Sequence, residues 1–297
     1  MKRVKTKAER RKRRIILSIL FIVSCLTLLA VYWQWQYKSR RRPEPIIFAS
    51  ERTVTLIEGW TMKEMGEYLV KEGVFKEGEF IKAVEKVKLS CQLSVVPAPE
   101  HNGRYGAGSC QLVNALPKKA TTLEGYLFPD TYRLYLDAKP EDLVEKMLEN
   151  FQRKISNQNI QNNLQLTTYN LHEVVTMASI VEAEVPHAED RPVIAGIFWK
   201  RLEAGIPLQA DSTVNYITGK RERAATLADT KIDSPYNTYL YPDLPPGPIG
   251  NPGLKALQAV LAPQESPYWY FLSKEDGTTV FSQTLEAHNL AKRKYLK

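Results

Sequence analysis

An uncharged apolar segment near the N-terminus restricts the possible folds of this chain more than any other feature. Nineteen residues, Ile15 to Trp33, carry no charged side chain, and basic clusters lie on both sides of them. Because an α-helix rises 1.5 Å per residue, about 20 such residues can cross the apolar core of a bilayer. Aromatic residues typical of a membrane interface follow: Tyr32, Trp33, Trp35 and Tyr37. Residues 15–35 are therefore predicted to form one transmembrane helix.

The basic residues predict the orientation of this helix. The first 14 residues hold nine Lys and Arg against one Glu, and four more basic residues lie at positions 38–42. The heavier basic flank usually stays in the cytoplasm. We expect the tail 1–14 to be cytoplasmic and the chain after residue 38 to lie outside the cell membrane. A cleaved signal peptide is the alternative, but no small-x-small cleavage site follows the apolar run.

The net charge of +8 suggests nucleic-acid binding until the charges are located. Without the basic tail and the cluster at 38–42, the chain keeps 28 basic residues against 32 acidic ones. A body with this balance lacks the basic surface that phosphate backbones require. The composition therefore predicts a membrane partner and no nucleic acid.

Two cysteines, Cys91 and Cys110, follow the predicted membrane segment within one irregular stretch. Outside the cytoplasm they could form a disulfide, because that compartment is oxidising. A pair of unlinked thiols is equally compatible with their spacing. Neither alternative implies a catalytic role.

Beyond the membrane segment the pattern is that of an α+β protein with two parts. A linker is expected at 36–51, a small βαα module with an irregular connector at 52–121, and a larger mixed α+β domain at 122–297. Thr61 and Glu64 form a capping-box pattern at the start of the module's first helix. In the larger part, helices are predicted at 141–155, 169–184, 188–204 and 254–261. Strands are predicted at 268–273 and 279–281, with an Asp-Gly turn between them.

Three further stretches are predicted without regular helices. Residues 88–121 show little periodicity and are expected to be rich in loops. Residues 123–134 are aromatic and strand-like, and their rings could stack on sugar faces. Residues 157–165 are read as a polar connector rich in Asn and Gln.

One glutamate in the helix predicted at 169–184 points toward the core. On a helical wheel with about 100° per residue, Glu182 lies in the apolar arc, flanked by Leu171 and Val175. Glu173 and Glu184 lie on the opposite, polar face. A carboxylate in apolar surroundings has a raised pKa and can hold a proton for donation to a leaving oxygen. Glu182 is therefore the candidate catalytic acid, the alternative being a buried Glu satisfied by backbone groups or an Arg.

Two polar loop motifs and one ring supply candidate substrate contacts. The loop after the predicted helix 188–204 contains Gln209, Asp211 and Thr213. A second hydroxyl-rich loop contains Asn237, Thr238 and Tyr239, and the aromatic stretch contributes Tyr132. Each has an ordinary structural alternative as a helix exit, a turn or part of a strand. Together they resemble the loops of a polysaccharide cleft.

Several motifs occur in the same order in a known family. They are 123–134, Ala178-Ser179-Ile180-Val181-Glu182, 207–213, 234–239, 244–253 and Phe281-Ser282 with His288-Asn289. Over roughly residues 52–297 the chain resembles the endolytic murein transglycosylases, the YceG-like or MltG family. The resemblance implies a membrane-anchored lytic transglycosylase without cofactor or metal, acting on peptidoglycan glycan strands, and makes peptidoglycan synthases a second candidate partner. It also implies that Glu182 is catalytic and that the βαα module is LysM-like.

This chain departs from the family pattern in three places. Only a short linker precedes the module, where members carry an additional LysM-like unit. Lys200 stands where Asn is common, and Asp243 stands where Gly is common. Wall binding by an accessory module is therefore an open question, and the two substitutions concern substrate contacts.

The sequence also allows comparison of the transglycosylase with three rival functions. A hydrolase would need a second carboxylate about 5–9.5 Å from the first, which Asp211 or Asp233 could supply. A non-catalytic, membrane-tethered wall-binding protein would not need Glu182 at all. A zinc protease is excluded because His172-Glu173 is followed by Thr176 where the second His would stand.

Overall fold

The computed structural model describes residues 7–40, 50–93, 107–118, 120–220, 225–274 and 276–296. The chain forms two compact units, Met1–Ala49 and Ser50–Lys297. The described part of the first unit is one helix, α1 (Lys7–Arg40). Within it, the 24 residues Ile15–Lys38 are long and apolar enough to cross a membrane. This stretch is consistent with the predicted single-pass anchor; residues 1–6 and 41–49 of the predicted tail and linker lie outside the described residues.

The second unit is a mixed α+β structure, as predicted. Its elements in chain order are β1 (Glu51–Thr55), α2 (Met62–Lys71), α3 (Glu79–Leu93), α4 (Ala107–Ala115), β2 (Thr131–Tyr135), α5 (Pro140–Ile155), α6 (Gln158–Leu166), α7 (Leu171–Glu184), α8 (Arg191–Glu203), α9 (Asp211–Thr218), a 3₁₀ turn (Asp229–Lys231), α10 (Leu254–Leu261), β3 (Tyr270–Ser273), β4 (Thr279–Ser282) and α11 (Leu285–Tyr295). The strands form two antiparallel pairs, β1 with β2 and β3 with β4.

The β1–β2 sheet joins the two parts that the sequence predicts as module and larger domain. Glu51 pairs with Tyr135 at one end and Thr55 with Thr131 at the other. A single strand leaves its backbone N–H and C=O groups unpaired, so β1 pairs with a strand from beyond residue 122. The two parts consequently share one core and belong to one compact unit.

The predicted hairpin near the C-terminus is confirmed. Tyr270 pairs with Ser282, and Ser273 pairs with Thr279 at the closed end. In the turn, the backbone N–H of Thr278 donates to the Asp276 carboxylate, and Gly277 has φ +84. A positive φ costs glycine little, which is why the Asp-Gly pair closes this hairpin.

Capping boxes fix the starts of the two helices that matter most for the site. In α2, the N–H of Glu64 donates to the Thr61 hydroxyl and the N–H of Thr61 donates to the Glu64 carboxylate, which confirms the predicted box. In α7, Asn170 and Glu173 make the same reciprocal pair. Each box satisfies two backbone donors that a helix start would otherwise leave unpaired.

Helix α7 is the central element of the second unit. Its residues 174–181 are all buried, and α8 and α10 pack against it. Because apolar side chains cover most of its circumference, the helix is enclosed by other elements on several sides. Its two ends are less buried, at Leu171 and Glu173 in the first turn and at Glu182–Glu184 in the last.

Three predictions about the remaining stretches are wrong. Within 88–121, α3 continues to Leu93 and α4 forms at Ala107–Ala115, while residues 94–106 and 119 lie outside the described residues. Of the strand-like stretch 123–134, only its last residues belong to β2, because the preceding rings turn into the core. The connector predicted at 157–165 is helix α6, capped by the Asn157 side chain and ended at Thr167. Asn and Gln lower helix propensity only slightly, so tertiary packing decides such a segment.

A disulfide joins α3 to α4. Cys91 and Cys110 are bonded, with 19 residues of sequence separation, which decides between the two alternatives left open by the sequence. Cys91 is fully buried, so the bridge packs into the core as well as closing a loop.

Removal of this disulfide is expected to destabilise the protein. Closing a loop of this length lowers the entropy of the unfolded chain and stabilises the fold by about 3 kcal/mol. The variant Cys91→Ala/Cys110→Ala should therefore unfold roughly 6–12 °C below wild type in differential scanning fluorimetry. A reducing agent should lower the wild-type midpoint and leave that of the variant in place; equal midpoints for both proteins would contradict a stabilising bridge.

Candidate active site

A wide groove of about 2060 Å³ runs across the second unit. Its walls come from α2, the end of α7, α9, the β3–β4 hairpin and α11. The polar and aromatic residues that line it include Thr61, Glu64, Glu67, Glu124, Glu182, Glu184, Arg201, Gln209, Asp211, Ser212, Tyr216, Tyr239, Tyr270, His288 and Lys292. A groove of this size, lined by both polar and apolar side chains, suits an extended ligand better than a small one.

The Glu182 side chain lies in this groove, in the last turn of α7. Only 6% of the side chain is exposed. One carboxylate oxygen accepts a hydrogen bond from the Arg191 guanidinium, and the other accepts from the Gly253 N–H at 3.1 Å. The carboxylate is therefore held at both oxygens while still lining the groove.

Glu182 and its neighbours come from four separate stretches of the chain. Arg191 is the first residue of α8, and Gly253 is the N-cap of α10. Gly59 follows β1 with φ +84, and a Cβ built there would lie 3.3 Å from the Glu182 Cγ. A Cβ at Gly250 would lie 2.5 Å from the Gly59 carbonyl oxygen. Position 59 requires glycine because its φ is positive, and position 250 requires glycine because a Cβ would collide with the Gly59 carbonyl oxygen.

The pKa of Glu182 is raised above its ordinary value. Burial is the largest cause, because it removes the charged carboxylate from water, and the nearby Glu58 carboxylate raises the pKa further. Arg191 and the Gly253 N–H oppose the shift, because both interact favourably with the ionised form. Glu182 can therefore hold a proton at a higher pH than a solvated glutamate and is also stabilised after losing it.

The surroundings of Glu182 differ from those that the helical wheel predicts. The wheel places Leu171 and Val175 beside it, but these residues lie two to three turns earlier along the α7 axis. At the level of Glu182, the neighbours are a guanidinium and a backbone N–H. The prediction of apolar surroundings is wrong, because a wheel shows direction around the axis and not position along it. The contacts are those named in the alternative, a backbone group and an Arg.

The sequence places Glu184 on the polar face of α7, opposite Glu182, and the structure covers this face in part. The Glu184 carboxylate is partly buried and accepts a hydrogen bond from the Ser212 N–H at 3.0 Å. Burial raises the pKa of Glu184, and the nearby Asp211 contributes in the same direction. The N-terminus of α9 packs over the side of α7 that the wheel leaves open, so both glutamates line one groove.

Three of the predicted substrate contacts line the groove: Gln209, Asp211 and Tyr239. The Tyr239 hydroxyl donates to the Asp211 carboxylate at 2.6 Å, and the Arg201 guanidinium donates to the Gln209 amide oxygen at 2.8 Å. Gln209 has φ +54, the left-handed conformation that a residue with a side chain seldom adopts. Backbone strain of this kind is often found at ligand-binding positions.

The structure places the other four predicted contacts away from the groove walls. Thr213 and Thr238 are buried and their hydroxyls lie 2.9 Å apart. Asn237 donates from its buried amide to the backbone carbonyls of residues 230 and 232. Tyr132 is a buried residue of β2, and its hydroxyl donates to the Phe128 carbonyl. The Thr213, Thr238 and Asn237 side chains hold the groove-forming loops in place through internal hydrogen bonds.

Sequence reasoning missed several residues of the groove. The sequence predicts Arg191 only as part of a helix, although an Arg nine residues after a buried Glu can face it across the α7–α8 turn. Tyr216 and Tyr270 supply the rings that the aromatic stretch 123–134 does not, because Tyr126, for example, is fully buried against His172. Two sequence patterns could have located these tyrosines: the amphipathic pattern of α9 for Tyr216, and the alternation of side chains along β3 for Tyr270.

Comparisons with known proteins agree with this geometry. The chain is 41% identical over 175 residues to the endolytic murein transglycosylase of Bacillus subtilis strain 168, covering 59% of this chain and 48% of that protein. It is 31% identical over 258 residues to the endolytic murein transglycosylase of Streptococcus pneumoniae serotype 2, covering 83% of this chain and 44% of that protein. The chain thus spans about half the length of the curated relatives it matches.

A solved structure and a family model complete the comparison. The fold is similar to the crystal structure of a YceG-like protein from Listeria monocytogenes, with a TM-score of 0.68 and 31% sequence identity. The similarity covers 81% of this chain and 76% of that one. The model of the YceG-like family matches residues 39–294, well over half of the chain. The chain is a member of the YceG-like family.

Proposed function

We propose that this protein is an endolytic lytic transglycosylase of peptidoglycan. It cleaves the β-1,4 bond between N-acetylmuramic acid and N-acetylglucosamine in nascent glycan strands, forms 1,6-anhydro ends and so terminates strand elongation. The observation that carries the proposal is the Glu182 carboxyl, which is almost buried yet lines a groove of about 2060 Å³. The names of the relatives from B. subtilis and S. pneumoniae support the same activity.

In the first step, Glu182 acts as the general acid. Its proton passes to the glycosidic oxygen as the bond to C1 of the muramyl unit breaks, which leaves an oxocarbenium-like centre at C1. The raised pKa of Glu182 favours the protonated form that this step requires. The carboxylate left behind accepts hydrogen bonds from Arg191 and the Gly253 N–H, so its charge is stabilised without water.

In the second step, the same carboxylate acts as the general base. It takes the proton of the muramyl C6 hydroxyl while the C6 oxygen bonds to C1 and closes the 1,6-anhydro ring. Glu182 is protonated again, and no water enters the products. One carboxylate is sufficient because the nucleophile belongs to the substrate.

The groove walls supply candidate contacts for the sugars on either side of the cleaved bond. We retain Gln209, Asp211 and Tyr239 as substrate-binding residues because they line the groove. Thr213, Asn237 and Thr238 support these loops from behind, whereas Tyr132 stabilises the residues just before β2. Residues 52–121, the LysM-like module of the sequence prediction, contribute one wall through the first turns of α2, so the module would bind glycan as part of the groove.

The rival hydrolase needs a second carboxylate near the first. Asp233 is exposed, accepts a hydrogen bond from the Tyr241 hydroxyl and does not line the groove, which disfavours it. Asp211 lines the groove but accepts from Tyr239. Product analysis separates a hydrolase from a lyase, because only hydrolysis adds water.

The anchor and the partners follow from the same proposal. With the tail 1–14 in the cytoplasm, the second unit would lie on the outer side of the cell membrane, where new glycan strands are made. This position also makes peptidoglycan synthases candidate partners. The Cys91–Cys110 disulfide supports an oxidising location.

Mass spectrometry of digested glycan strands tests the proposed function. Purified, uncrosslinked strands are incubated with the full chain in detergent, either wild type or Glu182→Gln. Wild type is expected to give new ends that are one water lighter than reducing ends, and Glu182→Gln should give none. Reducing ends from wild type would establish a hydrolase, and intact strands under all conditions would favour a non-catalytic wall-binding protein.

A further inference from the structure

Another buried carboxyl group, Glu124, lies at one wall of the groove and has no part in the proposed chemistry. Only 4% of the residue is exposed. Its Oε1 accepts hydrogen bonds from the Met62 N–H at 2.9 Å and from the Asn251 side-chain amide at 2.7 Å. Burying a carboxyl group is costly, so this arrangement calls for an explanation.

Asn251 uses its whole side chain to join three segments. Its amide oxygen accepts from the N–H groups of Gly125 and Leu127 at 2.9 and 3.0 Å. Its amide nitrogen donates to Glu124 and to the Trp60 carbonyl at 3.0 Å. With two bonds at each end, the side chain is fully satisfied and its orientation is fixed.

The backbone around Asn251 leads directly to the catalytic candidate. The Asn251 N–H donates to the Trp60 carbonyl, and the Gly59 N–H donates to the Asn251 carbonyl at 2.8 Å. Two residues later, the Gly253 N–H donates to the Glu182 carboxylate. The segment 250–253 is thus anchored at Asn251 and delivers a hydrogen bond at Gly253.

We propose that Glu124 is a positioning residue, which acts through Asn251 to hold the segment 250–253 so that the Gly253 N–H points at the Glu182 carboxylate. Glu124 also binds the first N–H of α2 and therefore ties the start of that groove wall to the same segment. This inference rests on the proposed function, because it assigns Glu124 a part in setting the acidity of Glu182.

The charge state of Glu124 makes glutamine a matched replacement. Burial raises the pKa of Glu124 to about 8, and Glu64 on α2 contributes to the rise. Two tyrosines also interact electrostatically with Glu124: Tyr216 of α9 and Tyr236 of the following loop. At neutral pH the side chain is a neutral acid, which Gln imitates in shape and charge. Ala removes the acceptor from both donors.

The test compares Glu124→Gln, Glu124→Ala and the control Glu72→Gln, an exposed residue at the end of α2. Glu124→Gln should retain activity within about twofold at pH 7. Glu124→Ala should lose about 10-fold or more, because the donors of Met62 and Asn251 are left without their acceptor. The segment 250–253 should also exchange its amide hydrogens faster in Glu124→Ala than in Glu124→Gln.

The pH profile distinguishes positioning from simple support of the fold. Loosening the Gly253 N–H removes an interaction with ionised Glu182, so the activity midpoint set by Glu182 should shift to higher pH in Glu124→Ala and stay in place in Glu124→Gln. An unshifted midpoint in Glu124→Ala, or equal losses in both variants, would overturn the inference. If wild type itself releases no glycan ends, the proposed function fails instead, and hydrogen exchange alone then tests the link from Glu124 to Gly253.

A second readout is independent of catalysis. Folded Glu124 keeps its proton to about pH 8, whereas an unfolded Glu releases it near pH 4.5. The wild-type thermal midpoint should therefore fall relative to Glu124→Gln as the pH is raised from about 5 to about 8. Parallel midpoints over this range would contradict a neutral, buried Glu124.

Discussion

Replacement of Glu182 by Gln is expected to lower kcat by on the order of 10³-fold, with little change in KM. The amide can neither donate a proton to the glycosidic oxygen nor take one from the C6 hydroxyl, and general acid–base catalysis contributes about 10²–10⁴-fold. The Gln oxygen can still accept a hydrogen bond from Arg191, so the fold should be retained. Release of soluble glycan fragments from labelled strands measures the rate.

The control for this result is Glu189→Gln, an exposed glutamate just beyond the end of α7. It removes the same charge from the same region and should leave the rate within about twofold of wild type, as is usual for an exposed position. If Glu182→Gln remained as active as Glu189→Gln while keeping its circular dichroism spectrum, the assignment of Glu182 as acid and base would be lost.

Replacement of Arg191 by Met is expected to cost the protein about 3–5 kcal/mol of stability at pH 8. Both partners of this ion pair are almost buried, with 7% and 6% of the Arg191 and Glu182 side chains exposed. Without the guanidinium, Glu182 must either stay charged in a buried site that stabilises charge poorly or take up a proton. A loss of this size should lower the thermal midpoint by about 10 °C or more.

The pH dependence of that loss has a definite sign. Removing Arg191 removes an interaction that lowers the pKa of Glu182, so the folded-state pKa of the variant rises further above that of an unfolded Glu. Protonated Glu182 contributes fully to the stability of the folded variant below about pH 4.5. This contribution is lost as the pH rises toward the folded-state pKa. Arg191→Met should therefore be less destabilised at pH 5 than at pH 8.

A double variant supplies the control. Arg191→Met/Glu182→Gln has no buried charge left to compensate, so it should recover much of the stability lost by Arg191→Met alone. Thermal midpoints of the four proteins at both pH values complete the cycle. Additive losses, or a loss that does not depend on pH, would show that Arg191 acts only by packing.

The sequence indicated the helix and the residue that matter most, because both signals are local. The pattern predicts a helix at 169–184, and α7 spans Leu171–Glu184, two residues shorter at its start. The direction of Glu182 follows from the same wheel. Its raised pKa was also expected, although the surroundings that cause it were not.

The neighbours of Glu182 could not be predicted, because they are distant in sequence. Arg191, Gly253 and Gly59 meet the carboxylate only through the packing of α8, α10 and the loop after β1. A helical wheel also contains no information about which other elements pack against the polar face of a helix. The partial burial of Glu184 beside the start of α9 therefore depends on the tertiary structure.

The division into module and domain stays a prediction, and the structure adds a link between the two parts that the sequence does not indicate. The pattern of residues 52–87 is that of a complete small unit, with a strand, a capped helix and a second helix. A strand alone cannot indicate its partner, and β1 pairs with β2 some 80 residues later along the chain. The aromatic stretch was similarly ambiguous, since rings that suit sugar stacking also suit a core, and Tyr126 and Phe128 are buried.

The central claim is that the nucleophile replacing the leaving sugar is the substrate's own C6 hydroxyl. Digestion of glycan strands in water enriched in oxygen-18, followed by rapid reduction and mass spectrometry of the new ends, tests it most directly. Our account predicts 1,6-anhydro ends that carry no heavy oxygen in wild type. One oxygen-18 at C1 of each new end would mean that water attacked this carbon, and the transglycosylase mechanism would be contradicted.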